Sequence, residues 1–135
     1  MRIAVVFTSK FGATRRAAEY IAKALDAEIF DIKQQLPSVD VFDMIVFGSG
    51  IYMGRMPRSM RSFLTNNAER LSEKRTALFV CCTMHGEKAE KQLALAAESV
   101  GDTVTTAYLC GKHKGKIGID VKAADQFIES VREIN

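Results

Sequence analysis

The amino-acid sequence predicts an α/β fold, a single doubly wound sheet of five parallel strands with helices on both faces. Three observations lead there. Short apolar runs alternate with amphipathic stretches along the chain, the pattern of a mostly parallel sheet covered on both sides, and right-handed crossovers leave few ways to arrange it. The runs at 3–7, 44–47 and 77–82 are almost continuously apolar, as strands buried on both faces are. The length, 135 residues with 47% hydrophobic and 26% charged, suits one globular domain spanning 1–135.

Each element has its own signal. After the strand at 3–7, Thr14, Ala17, Ala18, Ile21, Ala24 and Leu25 form one helical stripe. Residues 28–32 alternate, which predicts an edge strand with one wet face. Residues 33–40 carry Pro37 and little periodicity, so a helix there is short or absent. The strand at 44–47 is followed by a helix carrying Met60, Phe63, Leu64 and Leu71, with Pro57 suited to its first turn. After 77–82, the residues Ala89, Leu93, Ala96, Ala97 and Val100 repeat the stripe, and Gly101 stops it. Thr105 and Thr106 interrupt the apolar run at 104–110, but Thr and Tyr favour strands. The last helix carries Ala124, Phe127, Ile128, Val131 and Ile134, with Asp120 as its N-cap.

Composition excludes several function classes. Lys+Arg number 19 against 16 Asp+Glu, a net charge of +3, which suits an acidic ligand but not a nucleic-acid binder. The basic loop holding Lys112, His113, Lys114 and Lys116 has no interleaved aromatics for base stacking. The three cysteines show no CxxC spacing, so neither a disulfide framework nor a zinc site is expected, and a reducing compartment fits. Cys81 and Cys82, on opposite faces of a strand, read as small buried hydrophobes. No metal-ligand cluster is evident. No apolar run nears the ~20 residues of a membrane span, and the run at 3–7 is too short for a signal sequence. A cytoplasmic protein with no integral membrane contact is expected.

In a doubly wound sheet the ligand sits beyond the carboxyl ends of the strands, where the strand order reverses. The first such loop reads Thr8, Ser9, Lys10, Phe11, Gly12, Ala13, Thr14 and leads into a helix. Hydroxyls and a glycine at a helix start suit a phosphate, although neither GxxxxGK[ST] nor GxGxxG is present. Ser9 and Thr14 serve equally as helix caps. Lys10, Arg15 and Arg16 oppose the helix dipole at ~0.3–1 kcal/mol per exposed charge, and a bound dianion reverses that sign. The second loop holds Gly48, Gly50 and Gly54, with Ile51, Tyr52 and Met53 where loops are normally polar. Those residues either stack on a flat aromatic ligand or fold back onto the core.

Residues 7–14 resemble the phosphate loop of flavodoxins, where a hydroxyl-rich turn ends in Gly-x-Thr. Residues 46–54 resemble the short flavodoxin-domain branch that includes menaquinone-dependent protoporphyrinogen oxidase. There the third strand ends in Gly, two small residues and Ile, with another Gly three residues on. The resemblance runs in order over almost the whole chain. It implies a flavodoxin-like strand order 2-1-3-4-5 and bound FMN. Carried over by position, Ser9, Lys10, Phe11, Gly12, Ala13 and Thr14 hold the phosphate, with Thr8 also counted as cofactor-binding. Ser49, Gly50, Ile51, Tyr52, Met53 and Gly54 cover one side of the isoalloxazine, with Tyr52 as the stacking residue. Thr83, Met84, His85 and Gly86 cover the other side, and a peptide at Gly50 or Gly54 reaches the flavin N5.

The chain departs from typical flavodoxins in three ways. Phe11 replaces a hydroxyl, the net charge is not acidic, and there is no Trp to stack on the flavin. Arg55, Arg58 and Arg61, spaced by three on one face of the second helix, and Lys112 form a basic rim. It suits an acidic redox partner protein or a small acidic substrate. The resemblance therefore implies an FMN-binding electron-transfer protein. The alternative is an FMN-dependent oxidoreductase acting on a small acidic substrate such as protoporphyrinogen, or on a quinone. Against the alternative, the long insertion those oxidases carry before the last helix is missing. No catalytic residue beyond the flavin is assigned.

Overall fold

The computed structural model describes residues 1–9, 12–50, 55–82, 105–110 and 121–133, with positions 91, 94, 95, 97, 98 and 100. Its elements are β1 (Ile3–Thr8), α1 (Ala13–Leu25), β2 (Glu28–Asp31), a short 3-10 turn (Val39–Val41), β3 (Met44–Gly50), α2 (Arg58–Asn66), α3 (Ala68–Leu71), β4 (Arg75–Cys82), β5 (Thr105–Cys110) and α4 (Val121–Glu133). The α/β class and the parallel order β2-β1-β3-β4 agree with the sequence pattern. β5 lies beyond β4, also parallel, from Thr105 beside Ala77 to Cys110 beside Cys82.

All six residues of β1 are buried, so its side chains feed two cores by simple alternation. Val5 and Phe7 join Ala17, Ala18 and Ile21 of α1 and Phe127, Ile128 and Val131 of α4 on one face. Ala4 and Val6 join Met60, Phe63 and Leu64 of α2 and Leu71 of α3 on the other. Phe7, Phe47, Phe79 and Phe127 are fully buried, each worth roughly 1.5–3 kcal/mol against exposure. Phe79 meets Phe127 edge-on, with ring centroids 5.8 Å apart. On the edge strand β2, Phe30 turns toward the second core, as does Ile32 just after it, while Ile29 is exposed.

Four details differ from the pattern-based reading. β3 runs on to Gly50 instead of ending near Phe47, because Gly48, Ser49 and Gly50 are paired with β4 and the first two also with β1. Pro57 precedes α2 as its N-cap, with extended ψ of 149°, instead of sitting in the first turn. The expected single helix through Leu71 breaks at Asn67 (φ −113°, ψ 12°), whose Nδ2 donates to the Phe63 carbonyl at 2.9 Å. The aperiodic 33–40 segment gives only the short 3-10 turn. Lys91, Ala94, Leu95, Ala97, Glu98 and Val100 are helical. Gly101 and Asp120 lie outside the described residues.

α1 and α4 are pinned side by side. The Tyr20 hydroxyl donates to Asp125 Oδ1 at 2.6 Å, and Arg132 Nη2 donates to the Ala24 carbonyl at 2.9 Å. The hydrogen bond to Asp125 is the main cause raising the Tyr20 pKa above its ordinary 10.0. The contact favours the neutral phenol, so its stability is full below pH 10.0 and lost as pH rises through the folded-state value. Y20F should therefore lower the Tm at neutral pH and flatten the alkaline fall of Tm, as read by thermal melts across a pH series.

Gly48 has a purely internal role. A Cβ there would overlap the Cζ of Phe79 and lie 2.7 Å from its Cε1 and Cε2. G48A should cost about 1–3 kcal/mol in urea denaturation of the apoprotein, and less in an F79L background where the ring no longer obstructs.

Candidate functional site

The strand order reverses at β1, since the chain steps to β2 on one side and to β3 on the other. The crevice outside the carboxyl ends of β1 and β3 is therefore the expected ligand position. Three strand ends converge there. Thr8 pairs with Ser49 across β1 and β3, and Phe7 pairs with Asp31 across β1 and β2.

The first loop is shaped for donors. Gly12 adopts φ 91° and ψ −15°, a left-handed conformation that a glycine takes without strain. Its N–H donates to Ser9 Oγ at 3.0 Å. Ser9 thus closes the turn before α1 and does not cap the helix; no side chain caps α1, and no acidic residue lies in its first turn. Thr14 is buried. The cap reading of Ser9 and Thr14 is accordingly not what the structure shows. A helix start with a glycine N-cap and no acidic residue in its first turn is open to water or an anion. The Thr8 hydroxyl is buried with no hydrogen-bond partner among the described residues. An unsatisfied buried hydroxyl costs about 1–3 kcal/mol, so a ligand contact at this position would be stabilising.

The two first-turn arginines differ. Arg15 Nη2 meets Asp31 Oδ2 at 2.7 Å and its guanidinium lies 5.1 Å from the Phe7 ring centroid. Arg15 therefore braces β2 and is not free for an anion. Arg16 is exposed, and its Nη2 lies 3.7 Å from where a Cβ of Gly12 would be, beside the start of α1.

Two functional candidates come from outside the first loop and were not legible locally. Asp31 has a side chain only 9% exposed and also accepts the Lys33 N–H at 3.0 Å. Lys33 Nζ in turn donates to the Ser9 carbonyl at 3.0 Å. The one available clue was topological, since the end of β2 must lie beside the end of β1.

In the second loop, Ser49 and Gly50 are buried in β3, and Ser49 Oγ donates to the Gly50 carbonyl at 2.8 Å. Lys10, Phe11, Ile51, Tyr52, Met53, Gly54, Thr83, Met84, His85, Gly86 and Lys112 lie outside the described residues. The three-arginine stripe is not one helix face. Arg55 precedes the helix, Arg58 opens it exposed, and Arg61 Nε donates to the Met56 carbonyl at 3.1 Å. Among the described residues there is no cluster of His, Cys, Asp and Glu that could hold a metal, and no helix is long and apolar enough to cross a membrane.

An open parallel sheet with order β2-β1-β3-β4-β5 and a crevice at its switch point is the doubly wound α/β class. Residues 4–119 match the model of a family described as Flavodoxin domain, and the chain belongs to that family. An uncharacterized protein of Methanocaldococcus jannaschii is 28% identical over 137 aligned positions, covering 87% of this chain and 89% of its own. Among solved structures, the two-electron reduced flavodoxin of Megasphaera elsdenii is similar at a TM-score of 0.71 and 19% identity, covering 97% of this chain and 98% of its own. A flavodoxin from the domain Archaea reaches 0.68 at 18% identity, covering 99% of each chain. The flavoprotein of Lactobacillus acidophilus in complex with FMN reaches 0.59 at 15% identity, covering 81% of this chain and 91% of its own.

Family membership assigns FMN as the cofactor. The residues present fit its phosphate: a buried unpartnered hydroxyl, a left-handed glycine and a helix start free of carboxylates. T8V should have opposite effects on the two states. It should leave the apoprotein as stable or up to about 1–3 kcal/mol more stable in urea, and weaken FMN binding several-fold by fluorescence titration.

Proposed function

We propose that this chain is an electron-transfer protein that holds FMN across the carboxyl ends of β1 and β3. The Thr8 hydroxyl, buried and unpartnered where β1 ends, is the observation that carries this reading. Thr8, Ser9, Lys10, Phe11, Gly12, Ala13 and Thr14 hold the phosphate, mostly through backbone amides. Ser49, Gly50, Ile51, Tyr52, Met53 and Gly54 cover one flavin face, and Thr83, Met84, His85 and Gly86 the other. The FMN complex of the Lactobacillus acidophilus flavoprotein, similar in fold, supports the same cofactor. When bound, FMN supplies the one- and two-electron chemistry, and the protein supplies position and electrostatics.

The partner is an acidic redox protein or a small acidic molecule, received at Arg55, Arg58 and Lys112. Arg55 and Arg58 are exposed, and α2 has no acidic residue in its first turn. Positive charge there attracts anions and favours the anionic reduced cofactor.

The test begins with purified apoprotein titrated with FMN, followed by anaerobic photoreduction. Stoichiometric uptake with one-electron steps supports the carrier. Uptake with direct two-electron reduction favours an FMN-dependent oxidoreductase and a screen of porphyrinogens and quinones. No uptake overturns both. In the loaded protein, R55E/R58E should slow oxidation by ferricyanide about 3- to 10-fold at low salt, with the difference fading in stopped-flow runs at high salt.

A further inference from the structure

We propose that Lys33 is a positioning residue for the anion-binding loop, holding the Ser9 carbonyl and placing a positive charge where this loop receives a phosphate. The inference rests on reading the first loop as a phosphate site, and adds a residue from another element to it.

The geometry is a chain of three contacts. Asp31, at the end of β2, lies level with Phe7 of β1, and the Ile32 N–H donates to the Phe7 carbonyl at 3.0 Å. This places the segment after β2 directly beside the start of the first loop. The Asp31 carboxylate is held from two sides, by Arg15 Nη2 at 2.7 Å and by the Lys33 N–H at 3.0 Å. The fixed Lys33 backbone sends its ammonium to the Ser9 carbonyl at 3.0 Å. Ser9 is also the residue whose hydroxyl takes the Gly12 N–H at 3.0 Å. One lysine therefore grips the residue on which the loop turns.

Two physical effects follow. A carbonyl oxygen facing a phosphate repels it, and a lysine that binds this oxygen draws it away from the site. The ammonium also adds a fixed positive charge close to the loop. The nearby Asp31 carboxylate would work against an anion if it were bare, and Arg15 neutralises it. The second, independent sign of a ligand is the buried, unpartnered Thr8 hydroxyl next to Ser9.

The experiment compares wild type, K33M, K33R and K74M. Lys33 is exposed, so the fold is retained. Lys74 donates to the Asp40 carbonyl at 3.3 Å ahead of β4, at the amino end of the sheet, and K74M makes the same charge change far from the loop. The probes are FMN, riboflavin, which lacks the phosphate, and inorganic phosphate read as a Tm rise over chloride at equal ionic strength. K33M should weaken FMN about tenfold, change riboflavin less than about twofold and abolish the phosphate-dependent Tm rise. K33R should recover most of the FMN affinity, and K74M should match wild type. Equal losses for FMN and riboflavin, no loss in K33M, or an equal loss in K74M overturns the proposal. If wild type responds to phosphate but not to FMN, the FMN reading fails. The role of Lys33 then stands or falls on whether K33M abolishes the phosphate response. If wild type responds to neither, the role of Lys33 falls with the phosphate site.

Discussion

Everything in this structure hangs on the burial of β1 from both faces and both edges. Its six residues are buried, and it is hydrogen-bonded to β2 on one side and β3 on the other. A strand in that position can keep no polar backbone group idle, because each unpaired group would cost as much as a lost hydrogen bond. The parallel ladder meets this demand as far as Thr8. Beyond it the chain leaves the sheet, and donors no longer have neighbouring strands to satisfy them. The crevice exists because the ladder ends there, and the Thr8 hydroxyl is the first group left without a partner.

The end of β2 braces this edge. A carboxylate as buried as Asp31 is costly unless paired, and removing one partner from such a pair is more destabilising than the pair is stabilising. Arg15 and the Lys33 N–H share that carboxylate, and Arg15 also covers the Phe7 ring. The packed core thus continues as a charged network up to the rim of the site. Rigid elements position a binding loop better than the loop positions itself.

Much of the fold was legible in the sequence because two kinds of burial leave two kinds of pattern. The strands at Ile3 and Ala77 read as apolar runs, and the stripes of α1 and α4 supply the residues of one core face, where Phe127 of α4 meets Phe79 of β4. Legibility fails where distant pairing overrides local signals. Gly48, Ser49 and Gly50 look like a turn, yet neighbouring strands hold them in β3, and Gly48 is glycine because Phe79 occupies the space above it. The break at Asn67 depends on a side-chain bond to Phe63 that no periodicity reveals. In the site, the donor-rich character of Thr8, Ser9 and Gly12 was readable. The contact from Lys33, 24 residues from Ser9, and the pairing of Arg15 with Asp31, 16 residues away, were not.

The start of α1 breaks several local rules at once. It has a left-handed glycine as N-cap, no capping side chain, no acidic residue in the first turn and two arginines in place of one. Each choice forgoes a few tenths to about 1 kcal/mol that an optimised helix would gain. One arginine is explained by Asp31. The rest suit the proposed phosphate, whose negative charge arrives from outside the chain. An acidic cap would satisfy the amides permanently and close the site to phosphate. A helix start without a capping side chain forgoes apo stability, and on the proposed reading a bound phosphate would restore it, linking binding to local order at this turn.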